Sequence, residues 1–438
     1  MVREMRSVLP ALVVLLLPVL ASAQPSATLR LPVDRVTSAD VQEEQEPEQF
    51  GVPVDLYDPS GTALGGFHDA LRHAESGTGQ ARVMVYGASH VAADFFTNVM
   101  RERLQERFGD AGHGFFMPVR AWRRYRHLGG PTVQSSRQWE SLRIRANSRE
   151  IDRLGVAGMA VDTDRAGAWG RIDTGSAEAG RFVVQYLRQP GGGSFDLKVD
   201  GRRVARIPTA APEVMAGIYP IDGLEDGPHT LEVRSRGDGP VRLFGVSIER
   251  EQAGVIVDTM GLNGARAASL LLWQEELHRE YLRRMSPDLV VLAYGTNESG
   301  DVHQPIEEYE ADLLRVVGRL RGTVPEASCL LVGPSDRPQR EGGELVDRPR
   351  THQIIEVQRR VSRAMGCAFF DLVAFSGGPL SMVRWAENDP PYAQRDLVHF
   401  TGRAYVRLGD VLTSAVLDGY SPATVDPAPD GDAVASRE

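Results

Sequence analysis

The sequence predicts an α/β domain built on a parallel sheet and interrupted by an inserted β-sandwich or jelly-roll domain, on three observations. In two separate stretches, about 58–130 and 255–419, strand-like apolar runs alternate with helix-length amphipathic ones, the pattern of a parallel sheet covered by helices on both faces. Between them the pattern changes to short alternating or apolar runs. Turn signals such as Gly191-Gly192-Gly193, Asp200-Gly201 and Gly237-Asp238-Gly239-Pro240 separate these runs, as in a sandwich. A chain of 438 residues with an apolar share of 42% is too long for one ordinary domain and can fill two cores. The β part, residues 131–252, therefore splits the α/β part into 51–130 and 253–420.

The N-terminus sets where the chain works. Arg3 and Arg6 precede an apolar run over 9–20 that ends in Ala21-Ser22-Ala23, the pattern of a secretory signal peptide over 1–23. The alternative, a membrane anchor, needs about 20 apolar residues, and the run is shorter. Export follows, to a periplasmic or secreted location, with no integral membrane segment after signal cleavage. Residues 24–50 are polar and acidic, and 421–438 are rich in Pro, Ala, Asp and Ser; such compositions make a linker and a tail rather than a core.

The α/β elements are read in order. A helix is expected near 70–74, a buried strand over 83–86, and a helix over about 92–108 that stops at Gly109. In the insert, 181–186, 195–199, 230–233 and 241–244 read as strands. After it come a strand at 255–257, a helix over 265–282, a strand at 289–294, a helix over 306–320, a strand at 329–332, a helix over 354–364, a strand at 369–372 and a last helix over 402–417.

Composition excludes several function classes. With 49 Lys+Arg against 59 Asp+Glu, the net charge is −10, which disfavours nucleic acid and anionic membrane surfaces. Two cysteines, Cys329 and Cys367, exclude a disulfide scaffold and a cysteine-rich metal site. Each begins a predicted strand, and two readings stay open: a bridge between neighbouring strands, or two buried thiols.

Open parallel sheets gather functional groups at the carboxyl ends of their strands, and four loops there carry chemistry. In Tyr86-Gly87-Ala88-Ser89-His90 a serine lies between a strand and a helix; it presents a hydroxyl above the sheet edge, or it caps the helix. In Asp258-Thr259-Met260-Gly261-Leu262-Asn263-Gly264 the last glycine brings a bare N–H to a ligand, or turns the chain. In Tyr294-Gly295-Thr296-Asn297-Glu298 the asparagine offers a neutral amide donor, or forms a turn. In Asp396-Leu397-Val398-His399 a spacing of three places a carboxylate beside an imidazole, as catalysis or as a surface pair.

Together these blocks resemble the SGNH (GDSL) hydrolases, in the family's order and the family's strand–loop settings. The resemblance implies a flavodoxin-like three-layer fold, a catalytic triad of Ser89, His399 and Asp396, and an oxyanion hole formed by Ser89, Gly264 and Asn297. It covers the two α/β segments. One residue departs from the pattern: Ala88 stands where the family usually has aspartate. That aspartate is not a triad member, so its replacement leaves the triad complete while the hydrogen bonding around the nucleophile differs. The runs Asp58-Pro59-Ser60-Gly61-Thr62-Ala63 and Phe108-Gly109-Asp110-Ala111-Gly112-His113-Gly114-Phe115, with a β insert between the first two blocks, are similar to the bacterial peptidoglycan O-acetylesterase branch, whose insert resembles a carbohydrate-binding module.

The resemblance implies a serine esterase that hydrolyses O-acetyl esters on a cell-envelope polysaccharide, without metal or cofactor. His90 and Trp385 are its candidate substrate contacts, with Gly377 and Gly378 in the rim before the Asp–His block. Trp122, Arg123, Arg124 and Tyr125 either meet a glycan or fill a domain junction, and Trp139 and Trp169 form either a sugar platform or core. Two other functions use the same residues: a glycan-binding or envelope-assembly protein whose site Ala88 has impaired, and a lipid esterase or acyltransferase.

Overall fold

The computed structural model describes residues 50–422 apart from 124, 126, 145–147 and 149. The expected signal peptide, nearly all of the linker and most of the tail lie outside the described residues.

Apolar side chains at every position of Val83-Met84-Val85-Tyr86 need cover on both faces, which an interior strand of a parallel sheet provides. After helix α1 (Gly65–Glu75), strand β1 (Gln80–Gly87) takes that interior place. Val83 and Val85 join one apolar cluster, Met84 and Tyr86 another, following the two-residue period of a strand. The chain then forms a short helix, α2 (Ser89–Ala92), followed by α3 (Phe95–Phe108) and β2 (Gly114–Phe116).

The single helix expected over 92–108 is broken at Asp94, which has φ 56°. Its carboxylate accepts hydrogen bonds from the Leu128 N–H at 2.6 Å and the Thr97 hydroxyl at 2.7 Å. Those bonds hold it in the left-handed region, which aspartate tolerates better than most residues. Ser89 therefore opens its own short helix instead of preceding a long one.

The insert comprises β3 (Thr132–Ser135), β4 (Glu140–Arg143), β5 (Met159–Thr163), β6 (Trp169–Asp173), β7 (Arg181–Arg188), β8 (Ser194–Val199), β9 (Arg202–Pro208), β10 (Met215–Ile221), β11 (Thr230–Ser235) and β12 (Val241–Glu249). They form two antiparallel sheets, ordered β10-β7-β12-β5-β4 and β3-β6-β11-β8-β9. β2 also pairs with β12, Val246 opposite Phe116, so the first of these sheets takes in a strand that precedes residue 131.

The second α/β segment supplies β13 (Gly254–Gly261), α4 (Glu275–Met285), β14 (Leu289–Ala293), α5 (Ile306–Thr323), β15 (Ser328–Val332), a hairpin of β16 (Gln339–Glu341) and β17 (Glu344–Val346), α6 (Pro349–Met365), β18 (Ala368–Phe370), α7 (Leu372–Phe375), α8 (Ser381–Glu387) and α9 (Gly402–Val416). The helix expected over 265–282 is interrupted too. A 3-10 segment, Ala267–Leu272, precedes α4, with Trp273 extended and 1% exposed between them. Asp152 of the insert causes the break: its N–H donates to the Leu272 carbonyl at 2.9 Å and its carbonyl accepts from Gln274 N–H at 2.9 Å. These contacts are long-range in sequence, and the local apolar period cannot show them.

The parallel sheet runs β13-β1-β14-β15-β18. Numbered along the chain, that is the flavodoxin-like order, whose ligand crevice opens at the switch point between the first and third strands, here β1 and β14. α1, α3 and α9 share the apolar cluster of one face, while residues of α4, α5 and α6 lie in the cluster of the other. Cys329 on β15 is bonded to Cys367, which directly precedes β18; of the two readings, the bridge is the one the fold adopts. Among the described residues no helix is long and apolar enough to cross a membrane.

A buried ion cluster joins the sandwich to the parallel sheet. The Arg82 guanidinium on β1 meets Asp258 on β13 at 3.0 Å and also pairs with Glu249 on β12. Asp258 has no exposure and Arg82 little. Burial works against the Arg82 charge, but the two carboxylates outweigh it and raise the pKa. Removing one partner strands the others in a low-dielectric interior. Arg82→Met is therefore expected to destabilise the fold by about 3–5 kcal/mol, read as a lower denaturant midpoint; a change under about 1 kcal/mol would mean that water reaches the cluster.

Candidate active site

The site lies at the carboxyl ends of β1, β13 and β14, around the switch point, and is completed by the segment before α9. Ser89 begins α2 directly after β1. A Cβ added to Gly261, at the end of β13, would lie 2.1 Å from the Ala92 nitrogen, so only glycine lets α2 settle against that strand end. Ala88 is 5% exposed and joins the apolar cluster that includes Tyr86 and Phe115. Its methyl packs where a carboxylate would need buried donors.

The three candidate triad residues converge although 310 positions separate two of them. His399 Nε2 is 2.7 Å from Ser89 Oγ, and His399 Nδ1 is 2.7 Å from Asp396 Oδ2. The other carboxylate oxygen of Asp396 accepts the backbone N–H groups of Val398 and His399, both at 3.0 Å. Leu397, between acid and base, has φ 55°, a conformation that costs a non-glycine residue about 1–2 kcal/mol. That kink places the two side chains together. Partial burial tends to raise the Asp396 pKa, but the hydrogen bonds from His399 and Val398 outweigh it and hold the carboxyl below its usual range.

The candidate oxyanion loops are tied to each other. Asn297 Nδ2 donates to the Ala265 carbonyl at 2.8 Å, which uses one of its two amide hydrogens. Gly264 has φ 79° with open space where a side chain would stand. Glu298, 3% exposed, accepts from Ala267 N–H at 2.8 Å and Gly295 N–H at 3.0 Å, bridging the loops after β13 and β14.

The structure does not bring the other expected contacts to the open side of the site. His90 is 7% exposed, with Nδ1 facing Tyr405 Oη at 2.8 Å and Nε2 facing Ser335 Oγ at 3.2 Å. Trp385 is 3% exposed and packs on Phe50, Phe375, Tyr392 and Phe400. Both are held from below, because the apolar cluster around α9 needs their rings more than the rim does. Tyr125 is buried, with its hydroxyl accepting from Met117 N–H. Trp139 and Trp169 are half-buried, the first donating its indole N–H to the carbonyl of the second. Arg124 lies outside the described residues.

Two features were missed in the sequence. One is the loop after β15, where Ser335 touches residues from three of the four recognised blocks. Its signal was available, since that loop follows a parallel strand as the others do, but Pro334-Ser335-Asp336 matches no block of the family. The other is a groove of about 800 Å³ beside the oxyanion loops. Arg266, Leu271, Leu272 and Val302 line it from the α/β part and Ile151 from the insert. Ile151 and Val302 are 68% and 57% exposed.

A family model described as "GDSL-like Lipase/Acylhydrolase family" matches residues 225–407, which takes in Gly264, Asn297, Asp396 and His399 but not Ser89. A solved structure of a peptidoglycan O-acetylesterase aligns with 83% of this chain and 99% of its own, at 23% identity and a TM-score of 0.70. A family two carbohydrate esterase from Clostridium thermocellum, solved with cellohexaose, aligns with 59% of this chain and 94% of its own, at 12% identity and a TM-score of 0.29. Comparison with curated proteins finds no match.

Proposed function

We propose that this chain, an esterase carrying a GDSL-like lipase/acylhydrolase domain, is exported and removes O-acetyl groups from a cell-envelope polysaccharide, with peptidoglycan the polymer of choice. The observation that carries the reading is the continuous line of hydrogen bonds Ser89–His399–Asp396, at 2.7 Å and 2.7 Å. In that geometry His399 Nε2 takes the Ser89 proton as Oγ attacks the ester carbonyl. Asp396 holds the Nδ1 hydrogen and steadies the imidazolium. The oxyanion is met by the N–H groups of Ser89 and Gly264 and by the second amide hydrogen of Asn297. His399 then protonates the leaving sugar oxygen. Water, deprotonated by the same imidazole, releases acetate and restores Ser89.

A polymer substrate is supported by the groove beside the oxyanion loops. Its size falls within the range of ligand sites, about 300–1,000 Å³, and exposed aliphatic side chains in it would cover the apolar face of a chain lying there. The low likeness to a peptidoglycan O-acetylesterase concerns fold; peptidoglycan itself rests on the sequence resemblance and on the signal peptide.

The test is acetate release from O-acetylated peptidoglycan beside turnover of p-nitrophenyl acetate. Wild-type protein is expected to do both, and Ile151→Asp to raise KM for the polymer about tenfold while leaving the small ester unaffected. Turnover of the small ester with no release from the polymer would sink the substrate assignment, and turnover of neither would sink the catalytic one.

A further inference from the structure

His90 follows the nucleophile in the chain, yet both of its ring nitrogens are engaged away from Ser89. The Tyr405 hydroxyl lies 2.8 Å from His90 Nδ1, and the Phe400 ring packs on both side chains, 5.2 Å from each. His90 Nε2 lies 3.2 Å from Ser335 Oγ, so each ring nitrogen has a hydroxyl partner, and the neutral ring donates to one and accepts from the other. Ser335 has no exposure. Its hydroxyl lies 3.3 Å from Thr296 Oγ1 and, as the longest of these contacts, 3.5 Å from the Val398 carbonyl. Its backbone N–H donates to Thr296 Oγ1 at 3.0 Å. Val398 and Phe400 are the two neighbours of His399, so the contacts of His90 reach both sides of it, Phe400 through its ring and Val398 through Ser335.

We propose that His90 is a positioning residue: held by Tyr405 and Ser335, its imidazole clamps the residues on both sides of His399 to the turn that carries Ser89. The inference rests on Ser89 and His399 being nucleophile and base. The clamp explains how two segments 310 residues apart keep a 2.7 Å contact although His399 is about one-third exposed on the open side. It also explains why the loop after β15 belongs to the site, since Ser335 and Thr296 extend the same brace to the Asn297 loop. Burial first, and then the His399 charge, depress the His90 pKa to about 3. The imidazole therefore stays neutral whenever His399 is protonated, and the two rings, 5.5 Å apart, never repel.

The test uses the mature protein and p-nitrophenyl acetate, with Ser335→Ala, His90→Phe and the double variant. Each single variant is expected to lower kcat about 10- to 100-fold, the scale of a misplacement near 1 Å, with KM within twofold. The double variant should be no slower than the slower single one, because both break one clamp. Unchanged kcat, losses that multiply, or losses that follow a lowered unfolding temperature would each overturn the clamp. Ser335→Ala, the smaller change, serves if His90→Phe does not fold. The carbon-bound ring-proton resonances of His399 give a readout independent of turnover. They are expected to shift or broaden in both variants, and their constancy would overturn the clamp. A wild-type protein without turnover whose His399 resonances respond in this way would remove the esterase reading and with it the catalytic role of the clamp, while the hold of His90 on the His399 segment would stand.

Discussion

Replacing Ser89 by alanine is expected to lower kcat for ester hydrolysis by about 10⁶-fold, the loss typical when a triad nucleophile is removed, with the unfolding midpoint nearly unchanged. On the proposed mechanism Oγ forms the acyl bond, and it sits 2.7 Å from the nitrogen that would take its proton. Its loss leaves the oxyanion donors and the groove in place, so KM should move little. Stability should hold because Ser89 lies on the rim of its short helix and the strand ends below it are packed by Gly261 and Ala92. The measurement is acetate release by wild-type and variant protein at matched concentration, with thermal unfolding as the control. Retained turnover would mean that Ser89 only begins the helix and that another group attacks the ester.

Asp396→Asn is expected to cost about 10⁴ in kcat, the effect of leaving a triad imidazole in the wrong tautomer. The carboxylate now serves three donors, the ring Nδ1–H and two backbone N–H groups. An amide of the same shape can keep the backbone bonds only by turning its NH₂ toward Nδ1. The hydrogen then moves to Nε2, and that nitrogen can no longer accept the Ser89 proton. Comparison with Asp396→Ala separates the two roles: an asparagine no better than alanine marks the tautomer as decisive, whereas near wild-type activity in either variant would remove Asp396 from the triad. The pH behaviour has a definite sign. Because the folded-state pKa of Asp396 is lowered, its contribution to stability is complete above the unfolded value of about 3.9 and is lost only as pH falls through the lower folded value. The acid should therefore remain a carboxylate at pH 4–5, and loss of activity in that range should survive in Asp396→Ala if another group sets it.

Much of the fold was legible because it is written in local period. The run Val83-Met84-Val85-Tyr86 needs cover on both faces, and no helix would bury every one of those positions so simply. The same holds for Leu289-Val290-Val291-Leu292. Helix breaks were not legible. Asp94 and Trp273 sit in stretches whose apolar spacing continues through them, and the breaks are set by Leu128 and by Asp152, distant partners that local period does not contain. The same reasoning separates the site residues. Ser89, Asp396 and His399 could be found because their loops follow strands in a recognisable order. Ser335 was missed although its loop also follows a parallel strand, because it matches no block of the family and its importance is a set of contacts.

By itself the sequence determined the parallel sheet, the inserted sandwich, and which side chains could act as nucleophile, acid and base. The first two follow from periodicity, a local property, and the roles of the side chains from the order of their blocks, which resembles that of the SGNH hydrolases. Tertiary structure alone decided that Cys329 and Cys367 are joined, that His90 and Trp385 lie under the site and not on its rim, and that Ile151 of the insert shares a groove with the oxyanion loops. Each of these depends on which surfaces meet when distant segments pack, and local sequence does not contain those meetings.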